Sequence, residues 1–107
     1  MKPTIFHPAA RAVIKKFSKE VRIKFGKAIT ALQYGAELTM PLSKPMGSIR
    51  SGAEELRVKD SDGTYRVIYF IPGEAVWIVH AFVKKTEKTP LREIKLAKKR
   101  LKEMEDE

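Results

Sequence analysis

The chain contains no cysteine, which excludes a disulfide framework and any cysteine-bound metal centre. Histidine is nearly as scarce. His7 and His80 lie far apart without ligand-type neighbours at metal spacing, so no metal site and no cofactor are expected. No run approaches the roughly 18 apolar residues of a membrane span. The first residues lack the apolar stretch and small-residue cleavage site of an export signal, so a cytoplasmic protein is expected. The length of 107 residues leaves room for one domain, residues 1–107, around one core. An apolar content of 43% is ordinary for a globular protein and too high for a disordered chain.

Acidic side chains are also few, 13 against 22 Lys and Arg, for a formal charge of +9. They are unevenly placed. Residues 103–107 hold four of the acids and no base, so residues 1–102 carry all 22 bases against nine acids. Nine basic residues and two acids fall between Lys84 and Lys102. Such a field concentrates phosphates and speeds encounter with nucleic acid, although a solvated surface has the same composition.

Residues Thr4–His7 read as a short strand, and Pro8 suits the first turn of a helix. Val13, Ile14 and Phe17 give that helix an apolar stripe. Ser18 then fits the N-cap of a second helix, with Val21, Phe25, Ala28, Ile29 and Leu32 at helical spacing and Gly35 at its stop. Residues Ala36–Ser51 contain Pro41, Pro45 and Gly47 and no lasting period. They read as a loop whose Met40, Leu42 and Met46 tuck inward. Three β-type runs follow, Glu54–Asp60, Thr64–Ile71 and Ala75–Val83, separated by Ser61-Asp62-Gly63 and Pro72-Gly73-Glu74. Thr89 as N-cap with Pro90 behind it opens a last helix. Leu91, Ile94, Ala97, Leu101 and Met104 form its apolar side, and lysines its other side.

A two-residue loop at Asp62-Gly63 sets Lys59 opposite Arg66 and Arg57 opposite Ile68. Arg57, Lys59 and Arg66 then share one face, and Leu56, Val58, Val67 and Tyr69 the other. A three-residue loop at Pro72–Glu74 sets Arg66 opposite His80 and sends Trp77, Val79 and Ala81 to the apolar face. A two-residue loop there instead places Trp77 beside the arginines, and the apolar pattern favours the first choice. The resulting architecture is α+β in the order βααβββα. It is an antiparallel sheet with an N-terminal helical hairpin on one face and a C-terminal helix partly covering the other.

Cations on neighbouring strand positions repel by about a kcal/mol per pair, and Lys84 and Lys85 enlarge the group. A phosphate ligand relieves that repulsion. Arg57 and Arg66 suit bidentate phosphate binding and stabilisation of a phosphorane. A lysine crowded by cations gives up its proton more easily and suits a general base. RNA brings its own nucleophile, the 2′-hydroxyl. Lys59 adds RNA-binding charge, Phe82 is either a base-stacking platform or core, and His80 is a secondary candidate for proton transfer.

The runs Glu55-Leu56-Arg57 and Tyr65-Arg66-Val67-Ile68-Tyr69 resemble the RelE/ParE toxin superfamily. So does His80-Ala81-Phe82-Val83-Lys84-Lys85-Thr86 followed by Thr89-Pro90, which is similar to its phage-derived HigB-like branch in particular. The resemblance implies a RelE-like fold and the toxin of a type II toxin–antitoxin pair. It implies metal-independent mRNA cleavage in the ribosomal A site and a helix-turn-helix antitoxin as partner. Carried across, Arg57 and Lys59 match the basic positions of the family's second strand, Arg66 the arginine of its third, and Lys85, with Lys84 beside it, the basic residue after the last strand, which makes Arg57, Arg66, Lys84 and Lys85 the catalytic candidates. The RelE-type tyrosine is replaced by Leu91, which leaves protonation of the leaving group unassigned and gives His80 weight. The gyrase-poisoning ParE branch shares the fold and is the alternative, together with a non-catalytic nucleic-acid-binding protein.

Overall fold

A computed structural model describes residues 1–85 and 88–107, so Thr86 of the run above lies outside the described residues. The elements are β1 (Thr4–Phe6), α1 (Pro8–Ile14), α2 (Lys19–Gln33), β2 (Ser43–Pro45), β3 (Glu54–Asp60), β4 (Gly63–Phe70), β5 (Val76–Lys84) and α3 (Leu91–Glu105). Among the described residues the fold is α+β, with three helices and a five-stranded sheet ordered β1-β5-β4-β3-β2.

Two strands correct the expected antiparallel βααβββα. The sheet is mixed, because β1 runs parallel to β5, with Ile5 beside Trp77. The N–H of His7 donates to Ile78 O at 2.8 Å and that of Val76 to Pro3 O at 2.9 Å, fixing β1 on the outer side of β5. The segment read as a loop contains β2, antiparallel to β3 from Ser43↔Leu56 to Pro45↔Glu54. Three residues ending in proline carry no legible period. Side chains hold β2 instead: Ser43 Oγ donates to Glu54 Oε1 at 2.6 Å and lies 2.8 Å from the Tyr69 hydroxyl. Met46 is buried as expected, whereas Met40 and Leu42 are exposed.

The helical hairpin forms as its caps dictate. The N–H of Val21 donates to Ser18 Oγ at 3.2 Å, and Gly35 follows the C-cap of α2 with φ of +90°. Phe17, Val21, Phe25 and Leu32 pack with Leu56, Val58, Val67 and Tyr69 on one side of the sheet. On the other, Ala97 and Leu101 of α3 pack with Ile68, Val79 and Phe82. Each such fully buried large side chain contributes about 1.5–3 kcal/mol. Leu91, counted into the α3 stripe, is instead 63% exposed in the helix's first turn. Among the described residues no helix is long and apolar enough to cross a membrane.

Both strand registers differ from expectation. Arg57 lies opposite Arg66, and Asp60 pairs with Gly63, so the turn is Ser61-Asp62. Asp60 sets it: its Oδ1 accepts the Asp62 N–H at 2.7 Å. Gly63 is then the first residue of β4, and a Cβ on it would come 3.1 Å from the Lys84 carbonyl oxygen. Arg66 lies opposite Phe82, and Ile68, not Arg66, lies opposite His80. Each slip is of two residues, so the side chains keep their faces. The exception follows from an irregularity between Ile68 and Tyr69, where the pairing steps from Ile68↔His80 to Tyr69↔Ile78 and leaves Val79 over. That extra residue inverts the alternation. Trp77 and Val79 therefore join the α3 side and Val76 and Ile78 the hairpin side, whereas Ala81 stays on the hairpin side as expected.

Candidate active site

Three rows of side chains cross the α3 side of the sheet. Lys59, Thr64 and Lys84 form one, Arg57, Arg66 and Phe82 the next, and Glu55, Ile68 and His80 the third. The structure thus places Arg57, Lys59, Arg66 and Lys84 on one face, as their spacing requires. Lys85, exposed, lies directly beyond the end of β5.

The environments of the two arginines differ. Arg66 is 1% exposed, and its Nη1 lies 3.3 Å from Oε1 of Glu55, a carboxylate with no exposed surface. The same Nη1 donates to Thr89 Oγ1 at 3.0 Å, and the Thr89 hydroxyl donates to Glu55 Oε2 at 2.8 Å. Arg57 is less enclosed, its side chain 12% exposed, with Nε 3.7 Å from Glu55 Oε1. The expected cluster of cations is therefore an arginine pair around a buried acid, with lysines at its margin. Arg57 and Lys59 line two surface grooves at the β3 edge, of about 490 and 460 Å³. Lys24 and Lys27 of α2 border the first of these and Pro41 the second. Arg66 lines neither. A larger hollow of about 580 Å³ lies between β1 and the end of α3, lined by Ile5, Trp77, Met104 and Glu103. Apolar walls and a carboxylate suit it poorly to phosphate.

Thr89 does not cap α3. Pro90 occupies the N-cap position without a side-chain hydrogen bond, and the Thr89 hydroxyl serves the arginine–glutamate pair instead. The Thr-Pro signal located the helix start but not the use of the hydroxyl. Phe82 is buried in the α3 core and stacked on His80, with ring centroids 5.4 Å apart, so it presents no face to a base in this conformation.

His80 is buried as well. Arg100 Nη1 lies 2.5 Å from its Nδ1, and its Nε2 lies 2.7 Å from Glu93 Oε1. A guanidinium only donates, which assigns the ring proton to Nε2, directed at Glu93. Burial, with the Arg100 charge adding to it, holds His80 below the usual histidine range, against the upward pull of Glu93. Neutral and enclosed, it bridges β5 to α3. Glu93 and Arg100 were not anticipated. The signal was their spacing: with Ala97 they fall at i, i+4 and i+7 inside the apolar stripe.

The model of the phage-derived Gp49-like protein family matches residues 12–102, from α1 through most of α3. The chain belongs to that family. The Gp49-like family lies in the RelE/HigB-like toxin clan and is commonly toxin-like. No curated protein matches the chain. The match spans Glu55, Arg57, Lys59, Arg66, His80, Phe82, Lys84, Lys85 and Thr89.

Proposed function

We propose that this Gp49-like protein is the toxin of a toxin–antitoxin pair and an endoribonuclease that cleaves mRNA on the ribosome. The observation carrying this reading is the direct opposition of Arg57 and Arg66 across β3 and β4, with Lys59 and Lys84 in the adjoining row. Arginine forks match phosphate oxygens bidentately and stabilise charge accumulating on phosphorus. The RNA 2′-oxygen attacks the adjacent phosphorus, the bond to the 5′-oxygen breaks, and a 2′,3′-cyclic phosphate and a 5′-hydroxyl end result. The proton of the 2′-hydroxyl passes to a lysine acting as general base, and the departing oxygen takes up one proton. Lys84 and Lys85, adjacent at the end of β5, are the groups assigned to these transfers. Lys95, Lys98, Lys99 and Lys102, exposed on α3, supply long-range attraction to a polyanion such as ribosomal RNA. Activity of this kind is exerted in the cytoplasm, and its natural control is an antitoxin of the helix-turn-helix class.

One observation favours a second reading. Arg66 is spent on a buried carboxylate, as in a fold that uses the arginine for stability and acts by binding alone, on gyrase or on nucleic acid. Mapping mRNA 5′ ends after brief expression separates the two. New ends that vanish in Arg57→Ala support cleavage. Growth arrest without new ends, in a chain that still arrests as Arg57→Ala, refutes it.

A further inference from the structure

Two guanidinium groups directly opposite on an antiparallel pair sit on Cα atoms only about 4.5–5.5 Å apart, where like charges destabilise. Here Glu55 relieves the repulsion from within: Oε1 lies 3.3 Å from Arg66 Nη1 and 3.7 Å from Arg57 Nε, and Oε2 accepts the Thr89 hydroxyl. The carboxylate is completely buried, Arg66 almost so, and Arg57 alone of the three lines the surface grooves. The arginines are therefore unequal.

Resting on the cleavage reading above, we propose that Arg57 is the guanidinium that meets the scissile phosphate. Glu55 is then the positioning residue that presets it, with Arg66 and Thr89 as the inner scaffold fixing Glu55. A carboxylate held on one side by Arg66 and on another by Thr89 cannot follow Arg57 if that side chain wanders, so its fixed charge, 3.7 Å from Arg57 Nε, draws the guanidinium toward one place. A fork already oriented loses less freedom on meeting a phosphate, which is the condition for a donor to act in the transition state. The arrangement also accounts for Thr89, which forgoes the cap of α3 to complete the scaffold.

The test compares paired conservative variants in single-turnover cleavage of mRNA on programmed ribosomes. Arg57→Lys keeps charge and loses the fork at the phosphate, and should slow cleavage by about 100-fold, the scale of a lost transition-state donor. Arg66→Lys keeps a cation beside Glu55 and should cost no more than about 5-fold, since it acts at one remove. Glu55→Gln, nearly isosteric, should lower the rate constant by about 10-fold or more while half-saturation changes less than about 3-fold, the split expected of a positioning group. Thr89→Val, which removes no charge, supplies the same readout at smaller amplitude should Glu55→Gln fail to fold. Equal losses in Arg57→Lys and Arg66→Lys, or a Glu55→Gln effect confined to half-saturation, would overturn the proposal. If the wild-type chain cuts no RNA, the cleavage reading fails separately. The proposal is then judged by binding of a 2′-deoxy-substituted oligonucleotide: greater loss in Arg57→Lys than in Arg66→Lys sustains it, and equal loss refutes it.

Discussion

Lowering the pH should loosen α3, and His80 is the reason. Its Nδ1 accepts from Arg100 at 2.5 Å, so a proton placed there would set donor against donor and cation against cation inside the core. Glu93, 2.7 Å from Nε2, favours the charged ring, but burial and Arg100 prevail and the folded pKa lies below the unfolded value. Phe82 stacks on one side of the ring, and His7 adds a further unfavourable charge at a distance. Between the folded and unfolded pKa values the unfolded chain binds more protons, so stability is fully present above about pH 6.5 and falls with pH below it. If the folded ring stays neutral throughout, the loss between pH 7.5 and 5.5 reaches about 1.4 kcal/mol.

The assay is urea unfolding at both pH values for the wild type and for His80→Gln. Glutamine can still accept from Arg100 and donate toward Glu93 but does not titrate. The variant should start less stable and show a pH dependence smaller by up to about 1.4 kcal/mol. Arg50–Glu105, an exposed bidentate pair at 2.6 and 2.8 Å, also weakens on acidification, but Glu105 is held below the usual carboxylate range by Arg50, so its loss comes near and below pH 4. The two windows do not overlap. Identical pH dependences in wild type and variant, or a His80 ring titrating above 6.5 by NMR, would refute the reasoning.

Gly63→Ala should destabilise by about 1–3 kcal/mol, because φ of +148° disfavours a side chain and the new Cβ meets the Lys84 carbonyl; thermal unfolding reads the loss. His7→Ala should cost about 1 kcal/mol, since His7 Nδ1 accepts the Ala9 N–H at 3.1 Å as the cap of α1, and His7→Asn should recover most of it in the same measurement.

Local chemistry made much of this molecule legible before its coordinates. Ser18, Gly35 and Pro8 each marked an end that the helices respect, because caps and proline geometry act within a turn. The shared face of Arg57, Lys59 and Arg66 survived a register error because a slip of two keeps the pleat in phase. Trp77 and Val79 changed sides because an extra residue in one strand has no local signature and is settled by what both faces must bury. β2 was illegible for a related reason: three residues pinned by Ser43, Glu54 and Tyr69 depend on partners 11 and 26 positions away. At the site, residue types named the cations but not their unequal burial. That depends on Glu55 and Thr89 meeting across 34 positions of chain.

The placement of acids and bases divides the work between arginine and lysine. Among residues 1–102, Glu55 on β3 faces Arg66, and Glu93 on α3 faces His80. Of the tail acids, Glu103 pairs with His7 and Glu105 with Arg50. Among the described residues these four acids engage arginine and histidine, and the exposed lysines of α2 and α3 add to the surface field. Lysine, a strongly hydrated point charge on a flexible stem, suits attraction at long range; arginine, planar and forked, suits fixed geometry. Arg50 against Glu105 and over Phe70, Arg66 against Glu55 and Arg100 against His80 are all held in such geometry. Arg57 lies within ion-pair range of Glu55, at 3.7 Å, and also borders the grooves, so it is the position where the charges of the interior reach the surface to which the lysines draw a polyanion.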